Sequence, residues 1–145
     1  MRIEFENIVL RDMIESDIED YVRWFTVERE WENWDAPWEK EDTNAEAERK
    51  SWTERYESRK NLLDDVRRYR LEIEWKNGIG TNALRAFINY QLTIGADEIY
   101  TQTWSGNVRM IRCAEKLGFV ECNRNIGTRE VDGQCYDGLT FRLEE

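Results

Sequence analysis

Gly78 and Gly80 lie between a stretch of alternating residues and a helical stretch, a spacing suited to holding a phosphate. Glycine lets the backbone approach a ligand closely. Unpaired N–H groups at the start of the following helix, with the helix dipole behind them, bind an anion without basic side chains. A plain strand-to-helix turn would use the same two glycines. Gly78, Gly80 and Ala83 also satisfy G-x-G-x-x-G/A, but a dinucleotide fold needs an acidic residue at the far end of the next strand, where this chain has Thr103-Trp104-Ser105.

The chain has no histidine, which excludes Ser-His and Cys-His nucleophile pairs and His-containing zinc sites. Cys113, Cys122 and Cys135 are odd in number and form no C-x-x-C, so they are expected to be reduced thiols of a cytoplasmic protein, with no metal bound. Proton transfer is left to carboxylates, Tyr, Lys, water or backbone amides. Glu72 and Glu74 precede the glycines, and the segment Glu28 to Asp42 adds Glu30, Glu32, Asp35 and Glu39. Glu74, nearest the turn, is the catalytic candidate, its plain alternative being a solvent-facing strand residue. Trp31, Trp34, Asp35 and Trp38 could hold a cationic substrate by cation–π and carboxylate contacts, or the indoles could seal one end of a sheet. Arg109, Arg112 and Lys116 follow Asn107 on a helical stretch and could meet phosphates, or be a solvated face.

The elements that must position these residues are legible from their periods. Ile3, Phe5, Ile8 and Leu10 read as a strand with a turn or bulge near Asn7. Ser16 with Glu19 is a capping box, and Ile18, Tyr21, Val22 and Phe25 form one face of a first helix. Thr43 with Glu46 opens a second, longer helix to about Val66, carrying Trp52, Tyr56, Leu63 and Val66. Tyr69 to Glu74 alternates as a half-buried strand. A helix follows the glycines to about residue 94, and 98–104 is a second strand. This β-α-β order predicts parallel strands in one sheet. Asn107 is the expected N-cap of the next helix, which Gly118 ends, and Asp132-Gly133 marks a terminal hairpin.

The runs WKNGIGTNALRAFI and EIYTQTWSGNVRMIRCAEKLGF, with a closing YDGLTFRL, resemble the GCN5-related N-acetyltransferases, in particular the ribosomal-protein and antibiotic acetyltransferase branch. The resemblance covers nearly the whole chain. It implies an α+β fold, with a mixed sheet around the central β-α-β unit, two N-terminal helices and a C-terminal hairpin. It also implies that Lys76, Asn77, Gly78, Ile79, Gly80 and Thr81 wrap the pyrophosphate of acetyl-CoA and that Asn107 contacts its pantetheine arm, while Arg112, by its place on the helix after Asn107, could meet the same phosphates.

The implied reaction is direct attack of a primary amine, on a small molecule or peptide, on the thioester. The alternative is a shortened relative that binds CoA or a protein partner without turnover. Three departures from the family pattern stand out. Trp75 replaces the Arg or Gln that often opens the glycine motif, Ala114 replaces a Tyr that often serves as general acid, and one strand stands where three are usual. Because two antiparallel strands are lost together, the remaining strand still points into the turn. The exposed sheet edge so created could be covered by a second copy, hence an expected homodimer, with exchanged elements as one form of it.

With 145 residues, one domain is expected. The net charge of −10 disfavours nucleic-acid backbones, and no membrane or targeting segment is read in the sequence.

Overall fold

The irregularity near Asn7 is a turn between two strands. In the computed structural model, β1 (Arg2–Phe5) and β2 (Ile8–Arg11) form a hairpin, with Glu6 at a positive φ of 50°. The structure describes residues 1–75 and 80–144. The further elements are α1 (Asp17–Thr26), α2 (Ala45–Arg59), β3 (Glu72–Trp75), α3 (Gly80–Thr93), β4 (Tyr100–Trp104), α4 (Val108–Lys116), β5 (Phe119–Val131) and β6 (Gln134–Leu143). Short 3-10 turns at Arg29–Asn33 and Pro37–Glu39 occupy the tryptophan-rich segment. The class is α+β, as expected. The chain, read from sequence as one domain, divides into two compact units, 1–31 with 41–77 and 32–40 with 78–145.

In the first unit β2 is central, antiparallel to β1 and to β3, and Ile8 and Leu10 are fully buried. Helix α1 buries Ile18, Tyr21 and Val22 against Trp52 of α2, and the Tyr21 and Trp52 rings stack with centroids 3.6 Å apart. Two cap expectations are corrected. Ser16 makes no capping bond. Asp17, the first helical residue, accepts instead from the Ile14 N–H of the preceding turn at 2.9 Å and from the Arg11 guanidinium at 2.7 and 2.8 Å. One carboxylate in the first turn thus meets both the helix dipole and a cation. For α2 the cap is Asn44, whose side chain accepts from Ala47 N–H, while Thr43 donates to Glu48.

Helix α2 ends at Arg59 rather than near Val66, and Leu63 and Val66 are exposed. The carbonyls of Leu62, Leu63 and Val66 instead accept from the buried Arg68 guanidinium. A five-donor side chain that gathers three carbonyls of the 62–66 turn competes directly with helix propagation.

Burial pushes the Asp17 carboxyl up, but the bonds from Arg11 and the Ile14 N–H outweigh it and hold the group below the usual carboxylate range. A depressed folded-state value stabilises the fold above the unfolded pKa of about 3.9 and is lost as pH falls through the folded value. Melts of Asp17→Asn from about pH 7 to about pH 2 are therefore expected to show a stability deficit at neutral pH that shrinks below about pH 4. A deficit constant across that range would show that the carboxylate charge contributes nothing.

In the second unit β6 lies between β4 and β5, all antiparallel. The core is Ile88, Ala114, Phe119, Leu139 and Phe141, with Leu84, Ile111, Leu117 and Leu143 packed around it. Asp132 and Gly133 both take positive φ, 51° and 76°, the turn that matches strand twist in a two-residue hairpin. The expected parallel pairing, and with it the mixed sheet, is corrected. Among the described residues β3 pairs with β2, and β4 pairs with β6 over five residues, Tyr100↔Arg142 to Trp104↔Gly138. Each strand takes the partner that its own unit supplies.

Candidate functional site

Helix α3 opens at Gly80, which is exposed, and the first turn of α3 carries no acidic residue to oppose an incoming anion. Among the described residues, a Cβ placed on Gly80 would meet nothing outside its own helix within 4 Å, so the space beside it is open to them. Thr81 Oγ1 lies 3.6 Å from Cys113 Sγ, which sets the start of α3 against α4. Arg112, the neighbour of Cys113, is exposed and makes no hydrogen bond or ion pair among the described residues. Open helix N–H groups and an unengaged guanidinium suit a phosphate. Lys76, Asn77, Gly78 and Ile79 lie outside the described residues.

Asn107 caps α4 as expected, its Oδ1 accepting from Met110 N–H at 3.1 Å. Its Nδ2 donates to the Trp34 carbonyl at 2.9 Å, and the same oxygen accepts from Trp104 Nε1 at 3.0 Å. The carboxamide thus joins the start of α4 to the segment 32–40, leaving one N–H of Nδ2 for a ligand. Trp104 is buried, with Trp38 and Tyr136 edge-on to it at 5.7 and 4.9 Å. It closes against Gly106, where an added Cβ would fall 1.8 Å from the Trp104 ring. A tryptophan two residues before a glycine in a tight turn is a readable sign of such ring-to-backbone contact, although Trp104 is not among the site residues expected from the sequence.

The three indoles of the acidic segment separate. Trp31 belongs to the first unit, its Nε1 donating to the Trp24 carbonyl and its ring packing on Phe25. Trp34 and Trp38 belong to the second, and each already carries a cation of the chain: Arg109 lies 4.3 Å from the Trp34 ring centroid and Arg129 lies 4.9 Å from that of Trp38. Asp35 is exposed and has no hydrogen-bond or ion-pair partner among the described residues. An external cation would have to compete with guanidinium groups tethered to the same chain.

Glu74, on β3 opposite Val9, accepts from Arg2 and Arg11, each at 3.1 Å, and these arginines hold its carboxyl below the ordinary glutamate value. Glu72 accepts from the Tyr21 hydroxyl, and burial together with that bond pushes Tyr21 up to about 12. Ala114 is fully buried in the core of the second unit. A depressed carboxylate is a weak base toward an ammonium group. Glu74→Gln is therefore expected to lower kcat of any amine-directed reaction by less than about tenfold. A loss beyond about a hundredfold would make Glu74 a direct base.

Residues 66–120 match the acetyltransferase (GNAT) domain. No curated protein matches the chain in sequence. Solved structures share its fold. A GNAT-family acetyltransferase from Bacillus anthracis is 15% identical, with 99% of this chain and 98% of that one covered at a TM-score of 0.69. The ribosomal-protein-S5-alanine acetyltransferase from Vibrio fischeri is 16% identical over 98% and 95% of the two chains, at 0.66. A ribosomal L7/L12 alpha-N-protein acetyltransferase in complex with coenzyme A is 14% identical over 98% and 97%, at 0.67. At these identities the likeness is one of fold.

Proposed function

Because residues 66–120 carry an acetyltransferase (GNAT) domain in a chain with the GNAT acetyltransferase fold, we propose that this protein transfers the acetyl group of acetyl-CoA to a primary amine. The observation that carries the proposal is the open start of α3 inside the matched domain: an exposed Gly80 with free space at its Cβ position. These features fit the pyrophosphate of the cosubstrate, which needs close backbone approach and unpaired N–H groups rather than many cations.

When bound, acetyl-CoA supplies an activated thioester whose carbonyl carbon the amine attacks and whose thiolate departs. The residues of this chain act on position and charge. Gly80 and Thr81, with Lys76 to Ile79 before them, hold the pyrophosphate, and Arg112 adds a guanidinium to the phosphates. Asn107 offers its remaining N–H to the pantetheine amides. Glu74 of the first unit, ionised and shared between Arg2 and Arg11, is the candidate counter-charge for an acceptor ammonium, whose proton goes to water before the free amine attacks. Trp34, Asp35 and Trp38, all of the second unit, are offered to that acceptor, and Trp31, in the first unit, is a separate candidate. Rate enhancement by positioning does not need a side-chain nucleophile, so the lack of histidine is compatible with turnover. The non-catalytic alternative is the weaker reading, because the matched domain is that of an acetyltransferase.

The proposal includes a cytoplasmic homodimer without nucleic-acid or membrane partners. It is supported by three free cysteines, by the net charge of −10 and by the second edge of β3, which has no strand beside it among the described residues. No described helix is long and apolar enough to cross a membrane. Calorimetric titration with acetyl-CoA, followed by detection of free thiol on adding a panel of amines, tests the activity. Binding with thiol release is expected. Binding without release would leave the CoA-binding module, and no binding at high micromolar cofactor would defeat the assignment of the α3 start. Light scattering tests the dimer.

A further inference from the structure

In a chain with ten more acidic than basic groups, five of the 21 Lys and Arg residues line one cavity of the first unit, of about 150 Å³. Two carboxylates, Asp12 and Glu72, share the wall, and both are already engaged. Asp12 takes both arms of the Arg68 guanidinium, at 2.7 and 3.0 Å, and the amino terminus. Glu72 accepts from the Tyr21 hydroxyl and lies 3.8 Å from Arg70. Arg68 is in turn spent on Asp12 and on the carbonyls of the 62–66 turn, so it is part of the framework.

The other guanidinium groups are placed differently. Arg55 and Arg59 stand one helical turn apart on α2, both exposed. Arg55 makes only a ring contact, 4.7 Å from the Trp52 centroid, and Arg59 has no partner among the described residues. Arg70 lies 4.9 Å from the same centroid and donates to the Tyr21 hydroxyl at 3.1 Å. Arg67 adds a further positive charge to the wall. The edge of the Trp52 indole is occupied, its Nε1 donating to Glu48. Two guanidinium groups converging on one ring repel each other, and Glu72, 3.8 Å from Arg70 and also bonded to Tyr21, offsets only part of that charge. An anion seated there relieves it, and planar guanidinium groups bind carboxylate and phosphate through paired N–H donors.

We propose that this cavity is a binding site for a small anion, which presents a carboxylate or phosphate group to Arg55, Arg59 and Arg70 beside the Trp52 ring. The apolar part of the wall, Trp52, Met13 and Leu62, fits the body that carries the charged group. The site neither uses the α3 start nor rests on the acetyl-transfer reading, and it is tested without acetyl-CoA.

The test is calorimetric titration of the full chain with inorganic phosphate and, separately, with succinate, in a low-salt buffer free of other polyvalent anions. Saturable binding of at least one is expected, and the tighter of the two identifies the charged group that the site prefers. Arg55→Gln and Arg59→Gln change exposed side chains and are expected to keep the circular dichroism spectrum and to weaken binding at least about tenfold each. Lys50→Gln removes one positive charge from the same helix outside the cavity and is expected to leave binding within about twofold. Absence of saturation with either anion below about 10 mM overturns the proposal. Equal weakening by Lys50→Gln also overturns it, since that would mark a diffuse field rather than a site.

Discussion

Gly80→Ala is expected to leave the fold intact or slightly more stable while weakening acetyl-CoA binding by about tenfold or more. The two effects separate because, among the described residues, no atom outside the helix's own backbone lies within 4 Å of the added methyl group. Alanine is favoured over glycine in a helix by up to about 1 kcal/mol, less in a first turn whose N–H groups have no helical partner. The space the methyl would enter is the space through which a pyrophosphate must approach the N–H groups of α3. Thermal melts and calorimetry on the same preparation read both effects. Unchanged affinity with unchanged stability would mean that the cosubstrate does not sit at the start of α3, whereas a large loss of stability would contradict the open surroundings of Gly80.

The same substitution at Gly106 is expected to have the opposite consequence. A methyl there falls 1.8 Å from the Trp104 ring, well inside contact distance. The ring cannot step aside without cost. It is buried, its Nε1 is bonded to the Trp34 carbonyl, and Trp38 and Tyr136 close on it edge-on. Either the 105–107 turn moves, which strains the Asn107 cap and its bond to Trp34, or the indole leaves its place. Overpacking and loss of a large buried ring bracket the cost at about 2–4 kcal/mol, a fall in melting temperature of roughly 5–15 °C for a chain of this size. Urea denaturation of Gly106→Ala beside Gly80→Ala checks it. Equal stability of the two would show that the Trp104 contact is not tight.

The candidate site was partly legible because its residue types carry their own geometry. The hairpin at Asp132-Gly133, the cap at Asn107 and the helix after the glycines were read from local patterns, and local backbone preferences are what those patterns encode. The role of Glu74 was not legible. Its position on an alternating strand was clear, but the two arginines that depress its basicity come from positions 2 and 11. The cation–π reading of the tryptophans failed to foresee that Arg109 and Arg129, from far along the chain, would cover Trp34 and Trp38. The true end of α2 was hidden for the same reason, since the side chain that takes the 62–66 carbonyls is a buried arginine whose own anchor is Asp12.

The sequence by itself determined the α+β class, the order of elements, the absence of histidine-based chemistry and the resemblance through the glycine run and the Asn107 to Phe119 run, because periodicity, turn chemistry and composition act locally. Tertiary structure alone decided which strands pair, since β3 and β4 could each lie in either sheet until β2 and β6 supplied antiparallel partners. It also gathered Arg55, Arg59, Arg67 and Arg70 around one cavity. Charge summed along a chain says nothing about such a grouping, because like charges distant in sequence come together only where packing elsewhere outweighs their repulsion.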